Sequence, residues 1–363
     1  MRGLAVDNPS RFDYRLDFIR FLCFFFVFIC HFINNGGNGL TRNLDVWWNQ
    51  ELIQRISNFG REGVTLFFVL SGFLLWKLLI YEFKSTGKIS IRKFLLRRIY
   101  RIWPLYFLFL IILFLINLVT NQKGFKTSEI PYLLTFTYNW GLALKDLGGT
   151  VASITWSLSI EEQIYLVLPL LSLIKIRNKF LFGSIIFFIS GSISLIFCQI
   201  QSIDSLYLTS SYLVPFSIGM FIADKEKWFR VISMKYSLLT ITSFFFILLY
   251  PFCYIYVQQL DSEIIQFYLS PIFFVCLLHI CDKFLRENTL TVFVANFGRI
   301  SYGCYLYHFI ILFVFIRFSI FYDQNGFSIF GVLSALITTC LVSYFSYYYF
   351  EVFFLNKRLK YRA

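Results

Sequence analysis

Arg15 to Asn34, RLDFIRFLCFFFVFICHFIN, is the stretch on which the fold turns. Its twenty residues match the run a helix needs to cross a bilayer, and they are apolar almost throughout. The ionisable exceptions within the expected span 17–34 are Asp17, Arg20 and His31. Such groups are costly inside a membrane, which makes them functional candidates by default. Arg20 and His31 are eleven residues apart. At about 100° and 1.5 Å per residue, that interval returns to within roughly 20° of the same helix face after about 16 Å of rise. One stripe therefore carries a cation near one membrane surface and an imidazole well toward the other. A plainer reading makes Arg20 a snorkelling anchor and His31 an ordinary helix-end residue. The rest of the chain argues against it.

The 363 residues are 58% hydrophobic and only 15% charged, with a mean hydropathy of +0.68. That is too apolar for a soluble globule, and it predicts an all-α polytopic membrane protein forming a single domain over 1–363. The expected spans are 17–34, 63–80, 102–119, 156–174, 180–198, 207–223, 236–257, 264–281, 300–320 and 328–354, ten in all. Segment 130–144 is apolar but short, and Pro131 and Gly141 interrupt it. It is expected to be re-entrant or interfacial.

A net charge of +13 could suggest nucleic acid, but the Lys and Arg residues alternate by loop and form no binding face. Counting loops from a cytoplasmic N-terminus puts 24 of them inside and 6 outside. The positive-inside rule then predicts that both termini are cytoplasmic. The eight cysteines sit within or beside apolar runs without a CxxC pair, so they read as small hydrophobes rather than disulfides or metal ligands. Asp17, Arg20 and the sequence NNGGNG, which lacks a small-residue cleavage site, argue that the first span is retained rather than cleaved as a signal peptide.

The densest cationic cluster, Arg92, Lys93, Arg97, Arg98 and Arg101, runs directly into Trp103-Pro104. Arg98 and Arg101, three residues apart, present two guanidinium forks on one helix face, a geometry suited to phosphate. Anionic lipid headgroups are the competing partner. In TWSLSIEEQIY at 155–165, Glu161 and Glu162 point about 100° apart, so one can face solvent while the other faces the bundle. Glu161 is expected to be the inward one, at the outer end of its helix. Ser71-Gly72 reads as a packing site, His279 as interfacial and His308 as a satisfied structural histidine. Glu351, isolated in YYYFEVFF, is expected to pair with an arginine on the cytoplasmic side.

Taken together, these segments resemble the integral-membrane acyltransferase family three, whose members O-acylate bacterial surface polysaccharides. The resemblance rests on Arg20-x10-His31, FFVLSGFLL at 67–75, RRIYRIWPLY at 97–106, TWSLSIEEQIY at 155–165, ISYGCYLYHFIIL at 300–312, and Glu351. It implies a multi-pass protein of the bacterial cytoplasmic membrane. The donor would be a cytoplasmic acyl-CoA, most often acetyl-CoA, and the acceptor a lipid-linked or polymeric glycan reached from the other side. On that resemblance His31 is the base or acyl relay, Arg20 its electrostatic support, Glu161 a further catalytic candidate, and Arg97, Arg98 and Arg101 the donor-binding group, with no metal. Because longer members carry an appended extracytoplasmic domain, the chain is expected to finish the transfer itself or to hand on to a separate extracytoplasmic acyltransferase. The competing reading is a transporter or flippase with buried ionisable residues. It predicts paired halves, and no internal repeat is evident.

Overall fold

The computed structural model of the protein describes residues 13–34, 50–120, 123–145, 147–173, 178–226, 237–256, 263–318, 322–323, 326–327 and 329–361. The glycine-rich loop at 35–49 and Asp261 lie outside these residues. Apart from a two-residue antiparallel pairing of Tyr322–Asp323 with Gly326–Phe327, the described residues are helices and turns.

In chain order the helices are α1 (Tyr14–Phe32), α2 (Gln50–Gly60), α3 (Glu62–Thr86), α4 (Ile91–Thr120), α5 (Ile130–Leu134), α6 (Tyr138–Lys145) and α7 (Trp156–Val167). They continue as α8 (Lys179–Ile200), α9 (Leu213–Asp224), α10 (Ser237–Tyr256), α11 (Glu263–Phe284), α12 (Thr289–Arg299) and α13 (Ser301–Arg317). The last are α14 (Ile329–Ser346) and α15 (Val352–Arg358), joined by a π-helical turn, Tyr347–Glu351.

Local chemistry sets several ends. Asp13 caps α1 by accepting from the Arg15 amide. Asn288 and Thr291 close a capping box at the start of α12. Gly87, at φ +71°, ends α3 with its N–H on the Phe83 carbonyl, a left-handed position that favours glycine. The next turn is fastened when Glu82 accepts from the Ser90 amide at 2.8 Å.

Among the described residues, five helices are long and apolar enough to cross a membrane: Arg55–Thr86, Ile91–Thr120, Lys179–Ile200, Gln266–Phe284 and Phe330–Arg358. α12 and α13, bent by 68° at Ile300, make a sixth if counted as one span. The sequence led us to expect ten. α1 carries Arg15, Asp17 and Arg20 in its first seven positions, α7 and α9 have only 12 residues each, and α10 is apolar over the shorter stretch Leu239–Tyr254. Segment 130–144 forms α5 and α6, of 5 and 8 residues, with Phe136 at φ +53° between them. Both are too short to span. They are packed against protein, as the Tyr106 hydroxyl donates to the Leu133 carbonyl at 2.8 Å and Asn139 donates to the Tyr207 carbonyl at 3.0 Å.

Small residues set the tightest crossings. A Cβ on Gly72 of α3 would meet the Phe216 carbonyl of α9, and one on Gly219 of α9 would meet the Val69 carbonyl of α3. Lipid tails are as apolar as these helices, so close backbone packing of this kind holds such a bundle together. α1 is tied to α12 in the same way, because Gly298 lies directly on the Asp17 backbone. Arg15 also pairs with Asp282 of α11 at 3.2 Å, and Tyr14 donates to the Leu285 carbonyl at 3.0 Å. Near its other end α1 meets α2, where Ser57 donates to the Cys30 carbonyl at 3.2 Å.

Candidate functional site

Two of the polar groups within the bundle lie along α1, one at the level of Arg20 and one at that of His31. About 16 Å of helix separates them.

At the first level Arg20 pairs with Asp17, one turn earlier, whose side chain is buried. Arg101 acts electrostatically on Arg20 and also on Glu351, which is buried beside Ser346. Arg98 is buried, and its Nε has no hydrogen-bond partner. Both Arg98 and Arg101 lie within electrostatic reach of Glu161. A Glu161 oxygen accepts from Ser71 of α3 at 2.5 Å, and Glu162 Oε2 accepts from Trp103 Nε1 of α4 at 3.1 Å. Glu162 Oε1 is buried without a hydrogen-bond partner. Tyr302 of α13 closes this level, donating to the Ile102 carbonyl at 3.0 Å.

Two expectations about the glutamates change. Glu162, not Glu161, is the more buried of the two, held by Trp103 of α4, while Glu161 is half-buried with Ser71 of α3 as its partner. Glu161 also belongs with the arginines rather than with His31, since it sits in the second turn of α7 and Ser71 holds it there. Ser71-Gly72 accordingly does more than pack.

Arg97, grouped by sequence with the donor-binding arginines, has its guanidinium occupied by the protein. Nη2 donates to Glu82 at 2.7 Å and Nη1 to the Tyr361 carbonyl at 2.8 Å, tying the segment after α15 to α3 and α4. Arg20 is likewise engaged with Asp17 rather than with His31. What remains is Arg98 and Arg101, two forks suited to an anion.

At the second level His31 Nδ1 stands 2.8 Å from His308 Nε2. The two rings are nearly coplanar, with 17° between planes, and meet edge to edge with 5.0 Å between centroids. His308 is fully buried, and its Nδ1 lies 2.6 Å from the Tyr305 carbonyl and 3.2 Å from that of Cys304. Phe24, Phe28 and Phe309 surround the pair edge-on or tilted. Arg61 acts on His31 electrostatically.

Between the levels, α13 presents Tyr302, Tyr305 and His308 at successive spacings of three. The Tyr305 hydroxyl donates to the Ile154 carbonyl at 2.8 Å and sits 2.6 Å from the Ser157 hydroxyl. Residues 13–348, nearly the whole chain, match the family described as an acyltransferase domain, acyltransferase 3.

The chain belongs to the acyltransferase 3 family. Among the relatives of this acyltransferase domain, a Staphylococcus aureus protein named "Putative O-acetyltransferase SACOL0978" is 25% identical over 281 residues, 70% of this chain and 46% of that protein. Peptidoglycan O-acetyltransferase OatA of Listeria monocytogenes is 27% identical over 127 residues, 32% of this chain and 20% of its own length. The Bacillus subtilis protein YrhL, named as a peptidoglycan O-acetyltransferase with the same qualifier as the first, is 31% identical over 123 residues, 31% of this chain and 19% of that one. The chain thus spans less than half the length of the curated relatives it matches. No solved structure matches it significantly.

Among the described residues of the acyltransferase domain, no three His, Cys, Asp or Glu side chains gather as a metal site. The eight cysteines are free thiols, six of them buried. Sequence reasoning read His308 as a satisfied structural histidine, and the structure adds His31, 277 positions away, as its partner. The signal was available: an ionisable group inside an apolar span, the criterion that singled out His31, applies equally to it.

Proposed function

We propose that the protein is a membrane O-acyltransferase that moves an acetyl group from acetyl-CoA to a sugar hydroxyl of a surface or secreted glycan. Arg98 and Arg101 receive phosphates of the donor at the cytoplasmic end. The thioester reaches along the bundle toward His31, where the acceptor hydroxyl enters from the outer face. His31 takes the hydroxyl proton, the task for which a neutral imidazole is best matched near pH 7. The oxygen then attacks the thioester carbonyl and CoA leaves. In this reading the chain is one membrane domain of the bacterial cytoplasmic membrane, with ten crossings and both termini inside. Those crossings combine the long helices with the shorter apolar ones.

The observation that carries it is the two-level polar core, a buried guanidinium group with an unpartnered Nε at one level and an imidazole pair at the other. A cytoplasmic donor and an external acceptor require that separation. The relatives' names support acetyl as the group and a glycan as the acceptor. A transporter would need neither, and family membership tells against it.

Two measurements test this. The purified chain in proteoliposomes, supplied with radiolabelled acetyl-CoA on one side and a glycan acceptor on the other, should transfer label to the acceptor; no transfer to any glycan overturns the reading. Single cysteines replacing the exposed Lys93 and Arg61, in a background lacking the native eight, should react with an impermeant thiol reagent from opposite faces. Labelling from one face alone would refute transfer through the membrane.

A further inference from the structure

His308 is held in a way that assigns its hydrogen. A backbone carbonyl only accepts, so the Tyr305 oxygen 2.6 Å from His308 Nδ1 requires a hydrogen on that nitrogen, with the Cys304 carbonyl at 3.2 Å sharing it. In the neutral ring Nε2 is then the acceptor. That atom faces His31 Nδ1 at 2.8 Å, so neutral His31 carries its hydrogen on Nδ1 and its lone pair on Nε2. A histidine side chain in water favours the opposite tautomer. The walls around the pair are Phe24, Phe28 and Phe309, and buried polar nitrogens in such a box must satisfy one another.

We infer that His308 is a positioning residue that fixes the tautomer and ring plane of His31. It sets the lone pair on Nε2, the nitrogen pointing away from His308. When His31 Nε2 takes up the acceptor hydroxyl proton, the Nδ1–H bond to His308 Nε2 spreads the new positive charge over two rings, and the Tyr305 and Cys304 carbonyl dipoles face the far side of that pair. The acceptor oxygen bonds to the thioester carbon, the carbon–sulfur bond breaks, and the departing thiolate recovers the proton from His31 Nε2. Both rings end as they began. The catalytic part of this inference rests on the acyl-transfer reading; the tautomer does not.

The test uses the full chain, labelled with 15N-histidine in lipid nanodiscs. It has three histidines, and His279→Gln removes the one outside the site, so two ring systems are read. Both should show hydrogen on Nδ1 and a lone pair on Nε2. In His308→Leu the His31 signals should revert to the mixture dominated by hydrogen on Nε2. With them kcat should fall on the order of 100-fold, the direction seen when a catalytic histidine loses its tautomer-setting acceptor, while the KM for acetyl-CoA stays put. His308→Gln, whose side-chain oxygen can accept from His31 Nδ1, should recover part of kcat.

Hydrogen on His31 Nε2 in the unsubstituted chain would overturn the inference. So would a wild-type turnover in His308→Leu, or no difference between the Leu and Gln variants. Should the Leu variant not fold, the spectrum of the unsubstituted chain and the Gln variant still decide it. A chain with the expected tautomers but no acyl transfer would sink the functional reading and leave the tautomer assignment intact.

Discussion

At the level of Arg20 the side chains are polar, most of them ionisable, and reach one another from several helices: Asp17 and Arg20 from α1, Ser71 from α3, Arg98, Arg101 and Trp103 from α4, Glu161 and Glu162 from α7. At the level of His31 two neutral-type rings from two helices meet, one of them held by two backbone carbonyls. Removing one member of the first set strands a buried charge, which costs stability as well as function. Removing a member of the second takes a partner from one ring nitrogen of the other but strands no charge. Substitutions at the two levels should therefore separate activity from folding in opposite proportions.

The largest expected effect is at the histidine level. His31→Ala should reduce acyl transfer on the order of 100-fold or more, as for loss of a general base. The amount of inserted protein should be unchanged. Alkali-released acetate from the acceptor, normalised to protein in the membrane, measures it, and a loss that merely tracks abundance would erase the contrast.

Next comes the distinction between neighbouring arginines. Arg98→Lys keeps the charge and loses the fork, so the KM for acetyl-CoA should rise about tenfold, roughly 1.4 kcal/mol of donor binding, with little change in melting temperature. Arg97→Lys should do the reverse, lowering the melting temperature through Glu82 and Tyr361 and leaving KM alone. If both variants shift KM equally, Arg97 belongs to the donor site after all.

Trp103→Phe removes the hydrogen-bond donor to Glu162 Oε2 while Oε1 is already without one. The cost should be about 1–3 kcal/mol of stability, the range for a buried polar group left unsatisfied. Thermal unfolding in detergent reports it, and an unchanged midpoint would mean that Glu162 finds another donor. The smallest effect is Ser71→Ala, which loses one bond to Glu161. It should cost about 1 kcal/mol, with His31 spectra unaffected; a response of the His31 signals would show that the two levels are coupled.

Much of this molecule was legible in the sequence. The runs of apolar residues located the long helices, though the one expected at 102–119 begins at Ile91 and the one expected at 63–80 runs on to Thr86, and the eleven-residue interval placed Arg20 and His31 at different depths of one helix. What sequence could not supply was partnership between distant segments. Nothing near Arg97 announces Glu82 fifteen positions earlier or the Tyr361 carbonyl 264 positions later, so the three arginines at 97, 98 and 101 looked alike. The fates of Glu161 and Glu162 depended on α7 being enclosed on both flanks, a tertiary fact that helical periodicity does not carry. For His308 the sequence carried half of the account. It is indeed satisfied by its own helix, but only through one nitrogen, and the ring has two.

The contact of Gly298 with the Asp17 backbone acquires a mechanical meaning when set beside the histidine pair. α1 is fastened to the bent α12–α13 unit at two points, Gly298 on Asp17 and His308 on His31, fourteen residues or about 21 Å apart along its axis. With the 68° bend between them, the two attachments form a braced triangle, a truss that cannot hinge without breaking one of its joints. In the proposed reaction, entry of a bulky donor falls to α4 and α7, on which neither joint bears, while the truss keeps the imidazoles in register.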